Sequence, residues 1–189
     1  MTDHDRAETS ALALLGNIID AAYEDFTREG TKETPARMAK ALRELTDGYH
    51  QDPKEFLKIF DDPHADEIVV AKGMDFSSLC EHHVLPFTGK VDVAYIPSGR
   101  IIGLSKIPRI VRCLSRRLQV QERLTREIAD ALKPLEPQGV SVRISAVHMC
   151  ASLRGIETPT QMVTHCTRGL FRADPRARAE LMELYKVQP

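Results

Sequence analysis

At 189 residues the chain is long enough for one compact domain with a sizeable core, but too short for two full-sized ones. A formal net charge of -1 excludes a global basic field for nucleic acid or an anionic membrane surface, and the lack of Trp with only 5% aromatics leaves few faces on which bases stack. No apolar stretch approaches a membrane span and residues 1–8 are polar and acidic, so a cytoplasmic protein is expected, with its four cysteines acting as metal ligands or free thiols rather than disulfides.

Leu12, Leu15, Ile19, Ala22 and Phe26 recur at three- and four-residue steps, predicting an amphipathic helix that ends near Gly30. Thr34-Pro35 reads as an N-cap and first turn, with Met38, Leu42 and Leu45 forming the buried stripe of a second helix that stops near Gly48. Asp52-Pro53 predicts a short third helix through Phe60. From Glu67 the texture changes. Ile68, Val69 and Val70 suggest a strand, and after a loop Val91, Val93 and Tyr95 alternate up to Pro97.

Ser105 caps a predicted helix running to about Leu118, and Val120, Leu124, Ile128 and Ala131 give the inner face of another. Residues 139–150 read as a long strand in which Val140, Val142, Ile144, Ala146, His148 and Cys150 share one face. Residues 162–171 are its expected hairpin partner, and Asp174-Pro175 starts a closing helix. This order of elements is α+β, with an expected division into an N-terminal helical region, 1–62, and a sheet-bearing region, 63–189.

Cys80-Glu81-His82-His83 places a thiol and an imidazole three positions apart, a separation that a tight turn folds around one small cation. Cys150 supplies a third donor, and Cys80, His83 and Cys150 would leave one position of a zinc ion open for water. A closed structural site completed by His82 or His148, or buried thiols without metal, fits the same spacing. Ser105, Lys106 and Arg109 stand at a helix start, where free N–H groups and the helix dipole favour a phosphate, although a capped helix with solvated cations has the same composition. Arg154 follows Cys150 within a turn of chain, and Gln121-Glu122 offer an amide and a carboxylate suited to a guanine edge or simply to a helix start. His82 and His148 are the candidate acid–base pair. Cys113 and Cys166 read as core or surface thiols.

Ser78-Leu79-Cys80-Glu81-His82-His83, Gly103-Leu104-Ser105-Lys106, the run from Arg117 through Gln121-Glu122 to Thr125, and His148-Met149-Cys150 together resemble GTP cyclohydrolase I. The resemblance extends from Thr34-Pro35 to Gly169-Leu170-Phe171. It implies a tunnelling fold, in which antiparallel sheet and paired helices from several subunits form a barrel with N-terminal helices outside it, and a decamer of two pentamers with active sites at subunit interfaces. Residue by residue, it implies zinc on Cys80, His83 and Cys150, a triphosphate on Ser105, Lys106, Arg109, Arg154 and Lys40, a guanine anchored by Gln121 and Glu122, and catalysis by His82 and His148. The implied reaction opens the purine of GTP at C8 with activated water, releases formate, rearranges the ribose and recloses the ring as 7,8-dihydroneopterin triphosphate, the first step of pterin and tetrahydrofolate synthesis. Two departures are mild: a short N-terminal extension and Ala151-Ser152-Leu153 after Cys150, where relatives often place a methionine.

Overall fold

In a computed structural model, residues 2–18 and 26–187 are described, apart from the side chain of residue 4. By contact the chain divides into two compact units, Met1–Thr46 and Asp47–Pro189.

The first unit holds α1 (Asp3–Ile18) and α2 (Thr34–Leu45). The two helices pack together, with Ala11 and Ala39 buried, and Arg43 donates to the Asp3 carbonyl at 2.8 Å. Of the apolar stripe read for the first helix, Ile19 and Ala22 lie outside the described residues. Thr34 is the first residue of α2 rather than its cap, and Pro35 occupies the first turn, where a missing N–H costs nothing.

In the second unit, Asp52 and Pro53 build one 3-10 turn, Pro53–Phe56, with the Asp52 carboxylate accepting from Lys54 N–H at 3.0 Å. The expected helix does not continue to Phe60. The chain becomes extended as β1 (Ile59–Asp61), pairing antiparallel with β4 (Arg100–Ile102). Residues 47–62 thus pack within the second unit.

The main sheet runs β5-β2-β3-β6-β7: β2 (Val69–Cys80), β3 (Pro86–Ile96), β5 (Leu118–Gln119), β6 (Gly139–His148) and β7 (Gln161–Gly169). The β2–β3 hairpin occupies most of the segment expected to be a loop. Its register shifts between Ala71 and Met74, where Gly73 has a φ of 67°. Between β3 and β6 the chain crosses one sheet face as α3 (Lys106–Ser115) and α4 (Gln121–Ala131). Four antiparallel strands interrupted by this helix pair are the tunnelling-fold arrangement of one subunit.

The core follows from alternation. Val91, Val93 and Tyr95 on β3 and Val140, Val142, Ile144 and Ala146 on β6 meet Ile107, Ile110, Val111 and Leu114 of α3 and Leu124 and Ile128 of α4. The opposite parity carries Ala94 and Ile96, covered by Phe171 of α6 (Leu170–Ala173) and Leu181 and Tyr185 of α7 (Pro175–Lys186). On that face the Ser141 hydroxyl bridges Tyr185 Oη at 2.9 Å and His165 Nε2 at 2.7 Å. Burial is the main reason that the Tyr185 phenol is pushed up to about 12 and that His165 is lowered, the latter also by Arg143 and Arg178.

β6 lies close against Gly89 of β3, which pairs with Ala146: a Cβ there would sit 2.0 Å from the Ser145 carbonyl oxygen. No helix among the described residues is long and apolar enough to cross a membrane.

Candidate active site

At one end of the sheet β2 stops, β3 begins and β6 stops, and the residues with the most chemistry collect there. Cys80 is the last residue of β2. Its N–H donates to the Leu85 carbonyl at 2.8 Å, and Val84 N–H donates to the Cys80 carbonyl at 2.8 Å, closing a tight turn over 81–84. Val84 has a φ of 56°, an uncommon conformation for a β-branched residue. The turn is pinned from outside by Glu81 N–H donating to the Gln119 carbonyl at 3.0 Å and by Arg123, which ion-pairs with the Glu81 carboxylate. Arg123 also donates to Gln119 Oε1 and to the Leu118 carbonyl, both at 2.9 Å.

The third donor does not arrive by strand parity, as expected, because β6 ends at His148. Met149 begins the single helical turn α5 (Met149–Ser152), which carries Cys150. The ligand atoms of Cys80, His83 and Cys150 nonetheless all lie within 4.8 Å of one another. Cys80 Sγ is 3.8 Å from His83 Nδ1. A tetrahedral zinc with bonds of about 2.3 Å to sulfur and about 2.0 Å to nitrogen separates those two atoms by about 3.6 Å, so the pair needs little adjustment.

Electrostatics agree with the donor chemistry. Burial raises the Cys150 thiol, the adjacent Cys80 raises it further, and Arg154 acts in the opposite direction. Two neighbouring thiolates are unfavourable without a cation between them, and a divalent metal removes that penalty. The three residues therefore fit a metal ion. His82 is exposed, with Nδ1 3.7 Å from Cys80 Sγ and Nε2 3.9 Å from Glu81 Oε1, and is not a member of the three-residue cluster.

His148, the last residue of β6, is half-buried between two partners. The fully buried Phe87 stacks on its ring, and Gln121 Oε1 lies 2.8 Å from its Nε2. Burial lowers the histidine and the nearby Glu122 carboxylate raises it. Glu122 is exposed at the start of α4.

Gln121 differs from the expectation of a guanine contact. Its residue is 1% exposed, and its amide nitrogen donates to the carbonyls of Ile144 (3.2 Å) and Met162 (3.1 Å) and to Thr164 Oγ1 (3.1 Å). No amide hydrogen is left for a base.

Ser105, Lys106 and Arg109 lie at the start of α3 as expected, with Ser105 and Arg109 exposed and Lys106 half-buried. The Ser105 hydroxyl does not cap the helix, which ends at Ser115 rather than near Leu118. Arg154 is exposed in the loop after α5. Lys40 is exposed on α2 of the first unit, 3.9 Å from Glu44.

Phe87 and Arg123 are residues that sequence reasoning did not single out. An apolar residue near a strand start reads as core, and its role emerges only from the antiparallel register that sets Phe87 opposite His148.

The sequence profile of GTP cyclohydrolase I matches residues 12–186. The chain is 48% identical to a protein named GTP cyclohydrolase 1 from Chlorobaculum tepidum, across 96% of this chain and 84% of that one. It is 49% identical to the one from Caldanaerobacter subterraneus subsp. tengcongensis (88% and 90%) and 45% identical to the one from Halalkalibacterium halodurans (97% of both). With nearly its whole length matched, the chain belongs to the GTP cyclohydrolase I family.

Proposed function

We propose that the protein is an enzyme that converts GTP and water to 7,8-dihydroneopterin triphosphate and formate, with zinc held by Cys80, His83 and Cys150. The observation that carries this reading is the convergence of these three donors, from a turn and a helical step distant in sequence, beside a histidine held by Phe87 and Gln121. When bound, zinc supplies a Lewis acid that makes a water reactive near neutral pH.

The protein's own residues do the rest. Glu122, exposed at the start of α4, accepts from the N–H edge of guanine and holds the purine. Ser105, Lys106, Arg109, Arg154 and Lys40 take the triphosphate, so that affinity for the tail is spent on fixing the ring. At the start of α3, Lys106 N–H and Ile107 N–H already donate to the carbonyls of Gly103 (2.8 Å) and Leu104 (3.3 Å), and Pro108 has no N–H. Support for this group therefore comes from the exposed Ser105 and Arg109 side chains and the helix dipole. His148 and His82 move protons as the imidazole ring opens and as the sugar rearranges.

The active assembly in this proposal is a decamer of two pentamers, with sites completed by residues of neighbouring subunits. It is supported by the two borders of the sheet: β7 is an edge strand, and β2 is paired on its outer side only at Leu79 and Cys80. Such borders are templates for strand pairing with other copies.

The test is to incubate zinc-loaded protein with GTP and measure formate, together with pterin fluorescence after oxidation. Both should appear in equal amounts. Binding of GTP with neither product would leave a nucleotide-binding protein whose zinc is closed by a fourth ligand.

A further inference from the structure

The hydrogen bonds around Gln121 have only one consistent direction. Its amide nitrogen faces two backbone carbonyls, Ile144 O and Met162 O, which accept and never donate. Rotating the amide by half a turn would set its oxygen against both, leaving three acceptors facing one another in a buried site. The neighbouring hydroxyls enforce the same sense. Thr125 Oγ1 donates to the Gln121 backbone carbonyl at 2.6 Å, so its bond to Thr164 Oγ1 at 2.7 Å must use the Thr164 proton. Thr164 Oγ1 is then left to accept from the Gln121 amide. A closed circuit results, running from the Gln121 amide through Thr164 and Thr125 back to the Gln121 main chain.

With the amide fixed, Gln121 presents its oxygen to His148, and an oxygen acceptor requires a proton on the ring nitrogen that faces it. We propose that Gln121 is a positioning residue that holds neutral His148 as the tautomer protonated at Nε2, so that Nδ1 is the nitrogen that exchanges protons with the reacting molecule. Nδ1 has no hydrogen-bond partner among the described residues. The stacked Phe87 restrains the tilt of the ring plane: the planes are 3° from parallel with centroids 4.5 Å apart. Gln121 sets which nitrogen carries hydrogen and which way round the ring sits, and Phe87 sets the plane in which the bare nitrogen lies. The logic is that of an orienting group behind a catalytic imidazole, here a neutral amide instead of a carboxylate. Being neutral, Gln121 itself brings no opposite charge to the imidazole.

Only the kinetic part of this inference rests on the proposed reaction; the proton's location does not. Solid-state NMR of zinc-loaded protein labelled with nitrogen-15 histidine separates protonated from bare ring nitrogens, and the His148 signals are assigned by their loss in His148→Asn. At a pH where His148 is neutral, a protonated Nε2 and bare Nδ1 are expected; the opposite tautomer, or an even mixture, overturns the proposal whether or not GTP is turned over. Gln121→Ala should keep zinc, leave KM for GTP within about threefold, lower kcat by about 100-fold and give His148 a mixed tautomer signal. A folded Gln121→Ala protein with unchanged kcat, or with a loss confined to KM, also overturns it. Should that variant not fold, the NMR result on the unaltered protein decides alone. Absence of formate from the unaltered protein together with the Nε2 tautomer would reject the reaction and retain the geometry.

Discussion

Phe87 and His148 face each other across the β3–β6 pairing with their rings stacked, so the wall of the core and the wall of the site are the same contact. Phe87 is fully buried, and its replacement should therefore be felt in both places. Phe87→Ala is expected to cost about 3–5 kcal/mol of stability. Phe87→Leu, which keeps more of the volume, should cost about 1 kcal/mol and still lower kcat, because a flat face no longer restrains the imidazole. Urea unfolding with steady-state kinetics on each variant checks both statements; a Leu variant with undiminished kcat would show that the stack serves packing only.

Removing His83 leaves two thiols and two open corners of a tetrahedral site. His83→Ala is expected to abolish zinc retention and activity together, whereas Glu122→Ala should keep its zinc and raise KM for GTP. Metal analysis after dialysis, paired with the formate assay, separates the two, and zinc persisting in His83→Ala would strike that residue from the ligand set.

The pair between the half-exposed Arg143 and the buried Asp92 gives a prediction away from the site. Asp92 Oδ2 accepts from Arg143 Nη2 at 2.6 Å and from Nε at 3.0 Å, while Oδ1 accepts from Gly73 N–H at 2.8 Å in the β2 irregularity. Asp92→Ala strands a half-exposed guanidinium and one backbone donor. The loss should be about 2–3 kcal/mol, below that of a fully buried pair because Arg143 still reaches water. Denaturant unfolding measures it.

Acid should weaken the docking of α7. An unfolded histidine titrates near about pH 6.5, while folded His165 sits lower because it is buried and faces Arg143 and Arg178, with Tyr185 joined to it through Ser141. Between those two values the unfolded chain binds the extra proton, so stability declines as pH falls through about 6.5 and the loss levels off below the folded value. His148 is shifted in the same direction and adds to the trend. Urea midpoints at about pH 7 and about pH 5 should differ less in His165→Gln than in the unaltered protein. An equal pH dependence in both would exclude His165 as a contributor.

Much of the candidate metal site was legible because its first half is local: a thiol and an imidazole three residues apart need only a turn. Cys150 was found for a different reason from the one that places it, since β6 gives way to a helical turn after His148 and parity no longer applies. The long β2–β3 hairpin was hidden by its own bulge. Lys72 and Gly73 interrupt the period-two pattern, so the alternation before Ala71 and after Met74 does not join into one strand in the sequence. Residues after Asp52-Pro53 carried an adequate helix start, but Ile59 has Ile102 to pair with, and tertiary pairing overrode local propensity. The task of Gln121 was illegible for a stricter reason: its partners on β6, β7 and α4 are brought together only when the sheet is assembled.

The spacing at Gly89 has a consequence for how this protein would fail. Any side chain there forces apart two backbones that meet only two residues from the stacked rings, so the strands would splay first where Phe87 and His148 face each other. Damage of that kind would blunt turnover in a chain whose helices and distant core remained intact, and a spectroscopic survey of secondary structure alone would pass it as sound.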